Sequence, residues 1–124
     1  MPRMILVVDD SATVRQLIEL NLRKIPDLTI VQAVDGRDAL EKIKLGKPEI
    51  ILTDINMPNM NGLELIAAIR GKDGIGDALT PIVVITTKGE REDTEKGIGA
   101  GATAYVTKPI NGVQLIETVR SLLK

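Results

Sequence analysis

An apolar run that ends in an acid constrains this chain more than any other stretch. Residues 49–53 are Glu-Ile-Ile-Leu-Thr, and Asp54 follows directly, ahead of a loop that contains Pro58, Asn61 and Gly62. The isoleucine-rich run is typical of a buried strand, and proline and glycine are typical of the loop that ends one. Because ligands of open α/β sheets bind beyond the carboxyl ends of the strands, Asp54 is placed for chemistry more than for packing.

Apolar runs and amphipathic segments alternate along all 124 residues. The predicted strands cover residues 4–8, 28–33, 49–53, 82–85 and 103–106. A helix is predicted after each strand, and the one over residues 90–100 is the weakest because it contains Gly97 and Gly99. This alternation predicts a doubly wound α/β domain with a parallel sheet. We expect one domain over residues 1–124, since no linker or further periodic segment follows the last helix.

Polar residues at the predicted helix starts define several boundaries. The expected N-terminal caps are Asp10 or Ser11, Asp35, Asn61 paired with Glu64, and Asn111 paired with Gln114. In the first helix, helical spacing predicts a core-facing stripe made of Val14, Leu17, Ile18, Leu22 and Ile25.

Composition excludes several classes of function. The net charge is −1 and the 16 Lys and Arg residues are scattered, so the dense positive surface of nucleic-acid-binding proteins is not expected. The chain has no histidine and no cysteine, which excludes Ser-His-Asp catalysis, thiolate or histidine metal ligands, and a phosphohistidine on this chain. No segment approaches a membrane span, and the lack of cysteine suits a reducing compartment, so we expect a cytoplasmic protein without membrane insertion.

Acids, a hydroxyl and an ammonium follow or end four of the predicted strands. These residues are Asp9, Asp10, Asp54, Thr86 and Lys108. In a parallel sheet they lie along one edge and can form one site. Clustered carboxylates raise one another's proton affinity unless a cation offsets their charge. Mg²⁺ takes oxygen ligands and keeps positions open for phosphate oxygens, so the pattern predicts a magnesium site with Lys108 close enough to bind a further anionic oxygen.

Three of these residues also have a simpler interpretation. Asp10 taken alone is equally well explained as a helix cap, Lys108 as a solvated surface lysine, and Thr86 as a β-branched strand residue. Asp54 differs because no helix starts directly after it. The joint position of all five residues at strand ends favours the functional interpretation.

The order and spacing of these residues resemble the receiver domains of two-component response regulators, in particular the single-domain chemotaxis members. The matching segments are Val8-Asp9-Asp10, Asp54 with Met57-Pro58 and Gly62, Ile85-Thr86, and Tyr105 with Lys108-Pro109. The resemblance covers the whole chain. It implies a flavodoxin-like fold with five helices and five strands in the order 2-1-3-4-5.

The resemblance also implies roles for individual residues. Asp54 would be the phosphoacceptor, and Mg²⁺ would be bound by Asp9, Asp10, Asp54 and the backbone carbonyl of Asn56. Thr86 and Lys108 would bind phosphoryl oxygens, with a cis peptide bond between Lys108 and Pro109. Thr86 and Tyr105 would form the conformational switch.

The same resemblance implies partners. The phosphoryl donor would be a phosphohistidine on a separate histidine kinase, and the output would be a protein target such as the flagellar motor switch, contacted by a monomer. A phosphorelay intermediate or another stand-alone receiver needs the same site and stays open. Lys88, beside Thr86, is expected to affect the water that attacks the phosphorylated aspartate.

Two other classes are weaker. A phosphatase with an aspartate nucleophile needs a general acid two residues further on, where this chain has Asn56. A nucleotide-binding module is suggested by residues 97–102, which fit G-x-G-x-x-A, but that segment follows a helix instead of joining a strand to one.

Overall fold

The computed structural model describes residues 3–55, 57, 59–70, 80–87, 95, 99 and 101–123. The strands within these residues are β1 (Arg3–Val8), β2 (Leu28–Ala33), β3 (Ile50–Asp54), β4 (Ile82–Thr87) and β5 (Ala104–Lys108). The helices are α1 (Ala12–Leu22), α2 (Gly36–Leu45), α3 (Gly62–Arg70) and α4 (Gly112–Leu122). The helix predicted over residues 90–100 lies mostly outside the described residues, of which Glu95 and Gly99 are helical.

The five strands form one parallel sheet in the order β2-β1-β3-β4-β5, which confirms the predicted topology. The register aligns the carboxyl ends of the strands. Val8 pairs with Thr53, so Asp9 comes level with the last residue of β3, Asp54. Asp54 in turn pairs with Ile85, one residue before Thr86. Thr87 pairs with Lys108, so the end of β5 lies at the same edge.

Two hydrophobic clusters cover the two faces of the sheet. Successive residues of β1 alternate between them: Ile5 and Val7 belong to one cluster, and Leu6 and Val8 to the other. Helices α1 and α4 contribute to the first cluster, and α2 and α3 to the second. Because both faces are buried, the strands need apolar side chains on both sides, which explains their continuous apolar runs.

The predicted helix caps are present where the structure describes them. Ser11 accepts a hydrogen bond from the Val14 N–H, and Asp35 accepts one from the Asp38 N–H. The boundaries of α1 and α2 therefore follow from short polar side chains that satisfy otherwise unpaired backbone donors.

The two predicted cap pairs also form contacts. Asn61 and Glu64 exchange hydrogen bonds, with the Glu64 N–H donating to Asn61 Oδ1 and the Asn61 N–H to Glu64 Oε1. Asn111 Oδ1 accepts from the Gln114 N–H at the start of α4. None of the described helices is long and apolar enough to cross a membrane.

Two expectations about local structure were wrong. Leu17 does not belong to the core: its exposed fraction is 41%, because α1 buries Ile18 and Leu22 and Leu17 lies to one side of that stripe. The strands also run further than predicted, through Asp54 in β3, Thr87 in β4 and Lys108 in β5. Their ladders continue because the neighbouring strand still offers backbone partners at those positions.

Candidate functional site

Three carboxylates converge at the carboxyl edge of the sheet. Asp9, Asp10 and Asp54 each offer one oxygen, and these oxygens lie within 4.8 Å of one another. Asp9 is fully buried and Asp54 is 8% exposed, whereas Asp10 is exposed. Asp9 and Asp10 follow β1, and Asp54 ends β3, so the pairing of these adjacent strands brings the acids together.

Lys108 at the end of β5 completes the charged cluster. Its Nζ lies 3.3 Å from Asp9 Oδ2 and 3.4 Å from Asp54 Oδ2. Burial on its own would lower the pKa of Lys108, but the Asp54 and Asp9 carboxylates outweigh it and hold that pKa above its usual value. Lys108 is therefore a cation at neutral pH and partly offsets the carboxylates.

The Asp54 carboxyl group has a raised pKa. Burial is the main cause, Lys108 opposes it, and the Asp9 carboxylate adds to it. Asp54 Oδ1 accepts a hydrogen bond of 2.8 Å from the Ile55 N–H, while Oδ2 faces Lys108. The charged form of Asp54 is thus under-compensated by the protein alone, and a bound cation would favour it.

The two oxygens of Asp9 differ in their surroundings. Oδ1 accepts a hydrogen bond of 2.8 Å from the Ser11 N–H. Oδ2 is buried, lies 3.3 Å from Lys108 Nζ and has no hydrogen-bond partner among the residues that the structure describes. A buried carboxylate oxygen in this state needs compensation, and the all-oxygen cluster around it suits a hard divalent cation such as Mg²⁺.

The other predicted site features, which are Thr86, Tyr105 and the peptide bond before Pro109, lie on or directly after β4 and β5. Thr86 is 2% exposed and follows Ile85, the partner of Asp54 in the sheet. Tyr105 is 49% exposed on β5, two residues before the row of Thr86 and Thr107. The peptide bond between Lys108 and Pro109 is cis.

Two further predictions cannot be placed in this geometry. The contribution of the Asn56 carbonyl and the effect of Lys88 both concern residues outside those that the structure describes.

A close backbone contact between Gly62 and the end of β3 was not predicted from the sequence. Gly62, the first residue of α3, donates its N–H to the Ile55 carbonyl over 2.8 Å. An added Cβ at Gly62 would overlap the Asp54 carbonyl oxygen and come within 2.9 Å of the Ile55 Cα. Glycine is therefore required for a close approach of two backbones, and its position after a strand-ending acid was the available signal.

A second missed feature ties the loop after β3 to the start of α2. Asn59 Nδ2 donates to Asp35 Oδ2 over 2.8 Å, and the Gly36 N–H donates to the Met60 carbonyl over 3.0 Å. Asn59 has a φ of 66°, a left-handed conformation that asparagine tolerates better than most residues. The hydrogen bonds to the Asp38 N–H and to Asn59 lower the pKa of Asp35.

The family to which the chain is similar agrees with the acidic site at the edge of the sheet. The family described as the response regulator receiver domain matches residues 5–120. The chain therefore belongs to the receiver-domain family, the phosphoacceptor modules of two-component response regulators. Receiver domains take a phosphoryl group from histidine kinases, bind Mg²⁺ at an acidic pocket and act on downstream targets.

Similar structures cover almost the whole chain. Chemotaxis protein CheY4 of Vibrio cholerae is 33% identical, with a TM-score of 0.87 over 99% of this chain and 100% of that one. The receiver domain of NtrX from Brucella abortus is 29% identical, with a TM-score of 0.86 over 96% of this chain and 97% of that one.

One relative in sequence is a much longer protein than this chain. The protein-glutamate methylesterase/protein-glutamine glutaminase of a Nocardioides species is 41% identical over 110 residues, which are 86% of this chain. The match spans only 29% of that relative's own length. The likeness therefore concerns the receiver domain and does not extend to the whole relative.

Proposed function

We propose that this chain is a phosphorylation-activated switch in which Asp54 accepts a phosphoryl group from a phosphohistidine of a histidine kinase. The observation that carries the proposal is the convergence of Asp54 with two further acids and Lys108 at one edge of the sheet. An isolated strand-end acid would need no such neighbours. A buried acid with a raised pKa, a cation at 3.4 Å and a second buried acid is an arrangement suited to charged chemistry.

Asp54 is the nucleophile in this proposal. A carboxylate oxygen forms the new bond to phosphorus while the bond from phosphorus to the histidine nitrogen of the kinase breaks, and that nitrogen takes up a proton. Because Oδ1 is engaged by the Ile55 N–H, Oδ2, which faces Lys108, is the oxygen available for attack. The Lys108 ammonium and the Thr86 hydroxyl then bind oxygens of the transferred group.

Asp9, Asp10 and Asp54 would hold Mg²⁺ together with the backbone carbonyl of Asn56. When bound, the ion neutralises charge that develops on the phosphoryl oxygens. The protein holds the acids in place before the ion arrives, since the Ser11 and Ile55 N–H groups fix one oxygen of Asp9 and one of Asp54.

Phosphotransfer to Asp54→Asn tests the assignment. Intact-protein mass spectrometry after incubation with acetyl phosphate and Mg²⁺ should show one added phosphoryl group on the wild type and none on Asp54→Asn. Glu41→Gln is a matched control, because Glu41 is an exposed acid on α2 whose side chain is 71% accessible. Labelling of Asp54→Asn at the wild-type rate would contradict the proposal.

Phosphorylation would change a partner-binding surface through Thr86 and Tyr105. The phosphoryl group adds acceptor oxygens that draw the Thr86 hydroxyl towards Asp54, and the change passes to Tyr105 on the adjacent strand. Tyr105 lies on β5, which is hydrogen-bonded to β4, and its exposed position leaves room for a change of rotamer.

The output we propose is chemotaxis, with the flagellar motor switch as the target of a monomeric, cytoplasmic, single-domain protein over residues 1–124. Support comes from the similarity to a chemotaxis protein of Vibrio cholerae over the full length of both chains. A phosphorelay intermediate is the alternative. Pulldown from native cells with and without a beryllofluoride mimic at Asp54 separates them, since capture of a histidine phosphotransfer protein in place of motor components would favour the relay.

An aspartyl-phosphate phosphatase is less well supported. Asn56 stands where such an enzyme needs a general acid, and the described residues around Asp54 supply no second acid outside the metal-binding cluster. Efficient steady-state hydrolysis of a small phosphate ester with Mg²⁺ would favour the phosphatase over the switch.

A further inference from the structure

Arg15 on α1 reaches back to the acidic loop from the second turn of its helix. Its Nη1 donates to the backbone carbonyl of Asp9 over 2.6 Å, and its Nε donates to Gln32 Oε1 over 3.0 Å. Gln32 is on β2 and pairs with Val7 of β1, so the guanidinium bridges two adjacent strands at their carboxyl ends. Arg15 is half-buried and, in the part of the chain that the structure describes, does not contact the acidic side chains themselves.

The contact fixes a peptide group between two acids. The Asp9 N–H donates to the Ala33 carbonyl, and the Asp9 carbonyl accepts from Arg15, so both polar backbone groups of Asp9 have partners. The Asp9 carbonyl belongs to the peptide plane that joins Asp9 to Asp10. Fixing that plane fixes the backbone from which the exposed Asp10 carboxylate extends towards Asp9 and Asp54, and one oxygen of each acid lies within 4.8 Å of the others.

We propose that Arg15 is a positioning residue that holds Asp9 and Asp10 in the geometry that binds a divalent cation. This inference rests on the proposed function, in which the three acids bind Mg²⁺. A lysine at position 15 could reach only one of the two acceptors, since its single ammonium lacks the planar fork that spans the Asp9 carbonyl and Gln32. Both the charge and the shape of arginine are therefore used.

Electrostatics alone predicts the opposite sign from positioning. Removing a positive charge near three carboxylates should tighten the binding of a cation, because like charges repel. Loss of positioning should weaken it, since residues that orient metal ligands typically change metal affinity by about 10- to 100-fold. The direction of the change in Mg²⁺ affinity therefore separates the two explanations.

The experiment measures Mg²⁺ binding by calorimetry on four proteins: wild type, Arg15→Met, Arg15→Lys and Arg23→Met. Arg23 follows the same helix and forms an exposed ion pair with Glu19, so Arg23→Met removes the same charge without touching the acidic loop. Positioning predicts about tenfold weaker binding for both Arg15 variants and an unchanged constant for Arg23→Met. Wild-type affinity or tighter binding in Arg15→Met would overturn the inference.

A measurement without metal gives a second readout. The Ser11 N–H donates to Asp9 Oδ1, so its hydrogen exchange reports on the order of the acidic loop. We expect faster exchange of this amide in Arg15→Met while core amides of β1 stay protected, and equal protection in both proteins would count against the proposal. If the wild type binds no Mg²⁺ but the Ser11 amide still exchanges faster in Arg15→Met than in the wild type, the proposed function fails and the positioning of the loop by Arg15 stands.

Discussion

The first residue of α3 provides the sharpest test of how the site is built. Three helices begin with a glycine, Gly36, Gly62 and Gly112, but their surroundings differ. At Gly62 an added methyl group would meet backbone atoms of Asp54 and Ile55, which cannot rotate away. We therefore predict that Gly62→Ala destabilises the protein and displaces the end of β3.

The magnitude follows from three contributions. Forcing a methyl group into a closed backbone contact costs about 1–3 kcal/mol. Weakening the 2.8 Å hydrogen bond from the Gly62 N–H to the Ile55 carbonyl costs about 1 kcal/mol. The better helix propensity of alanine returns about 1 kcal/mol. The net loss is about 2 kcal/mol, a change of roughly thirtyfold in the ratio of folded to unfolded protein.

Urea unfolding at pH 7 measures this loss, with Gly112→Ala as the control. A methyl group at Gly112 would meet the half-buried Asn21 side chain, which can turn away by giving up its solvent-exposed hydrogen bond to the Leu17 carbonyl. We expect Gly112→Ala to stay within about 0.5 kcal/mol of the wild type. Equal free energies of unfolding for the two variants would refute the argument that backbone contact at Gly62 holds the site.

Three further predictions concern charge. Asp54→Asn should stabilise the metal-free protein at pH 7, because the raised pKa of Asp54 means that folding disfavours its ionised form. In urea titrations, the difference in free energy of unfolding between variant and wild type should shrink towards about pH 3. A difference that does not change with pH would contradict this prediction. Lys108→Met should lower the free energy of unfolding of the metal-free protein by roughly 2 kcal/mol, since Asp9 and Asp54 lose their shared cation. The same variant should bind Mg²⁺ more tightly in calorimetry. Weaker Mg²⁺ binding than in the wild type would refute the prediction. Asn59→Ala should lower the free energy of unfolding by about 1 kcal/mol at pH 7, because it removes the hydrogen bond to Asp35. The loss should be smaller in acid, since the lowered pKa of Asp35 adds stability only above the pH at which Asp35 ionises. An equal loss at both pH values would argue against a stabilising hydrogen bond between Asn59 and Asp35.

The sheet and the convergence of its strand ends were predictable because both follow from local pattern. Apolar runs closed by polar residues gave all five strands, and parallel topology then brought Asp9, Asp54 and Lys108 to one edge. The ends of β3, β4 and β5 were predicted too early because a polar side chain was taken as the end of a strand. A strand ends where its neighbours stop offering backbone partners, and the sequence does not contain that information directly.

The supporting contacts were not predictable for a different reason. Arg15 has an ordinary helical position, and nothing in its spacing distinguishes it from the exposed Arg23 directly after the same helix. Its role depends on the distance from α1 to the Asp9 carbonyl, which only the packed fold defines. The bond from Asn59 to Asp35 joins residues 24 positions apart and likewise has no local signature.

The single aromatic residue has a practical consequence. The chain contains one tyrosine and neither tryptophan nor phenylalanine, so all of its near-ultraviolet fluorescence comes from Tyr105. That residue is half-exposed on β5, which pairs directly with β4, the strand that carries Thr86. The protein thus carries a built-in optical reporter at a single known position, and its emission can be followed in real time, without a label, as phosphodonor or metal is added.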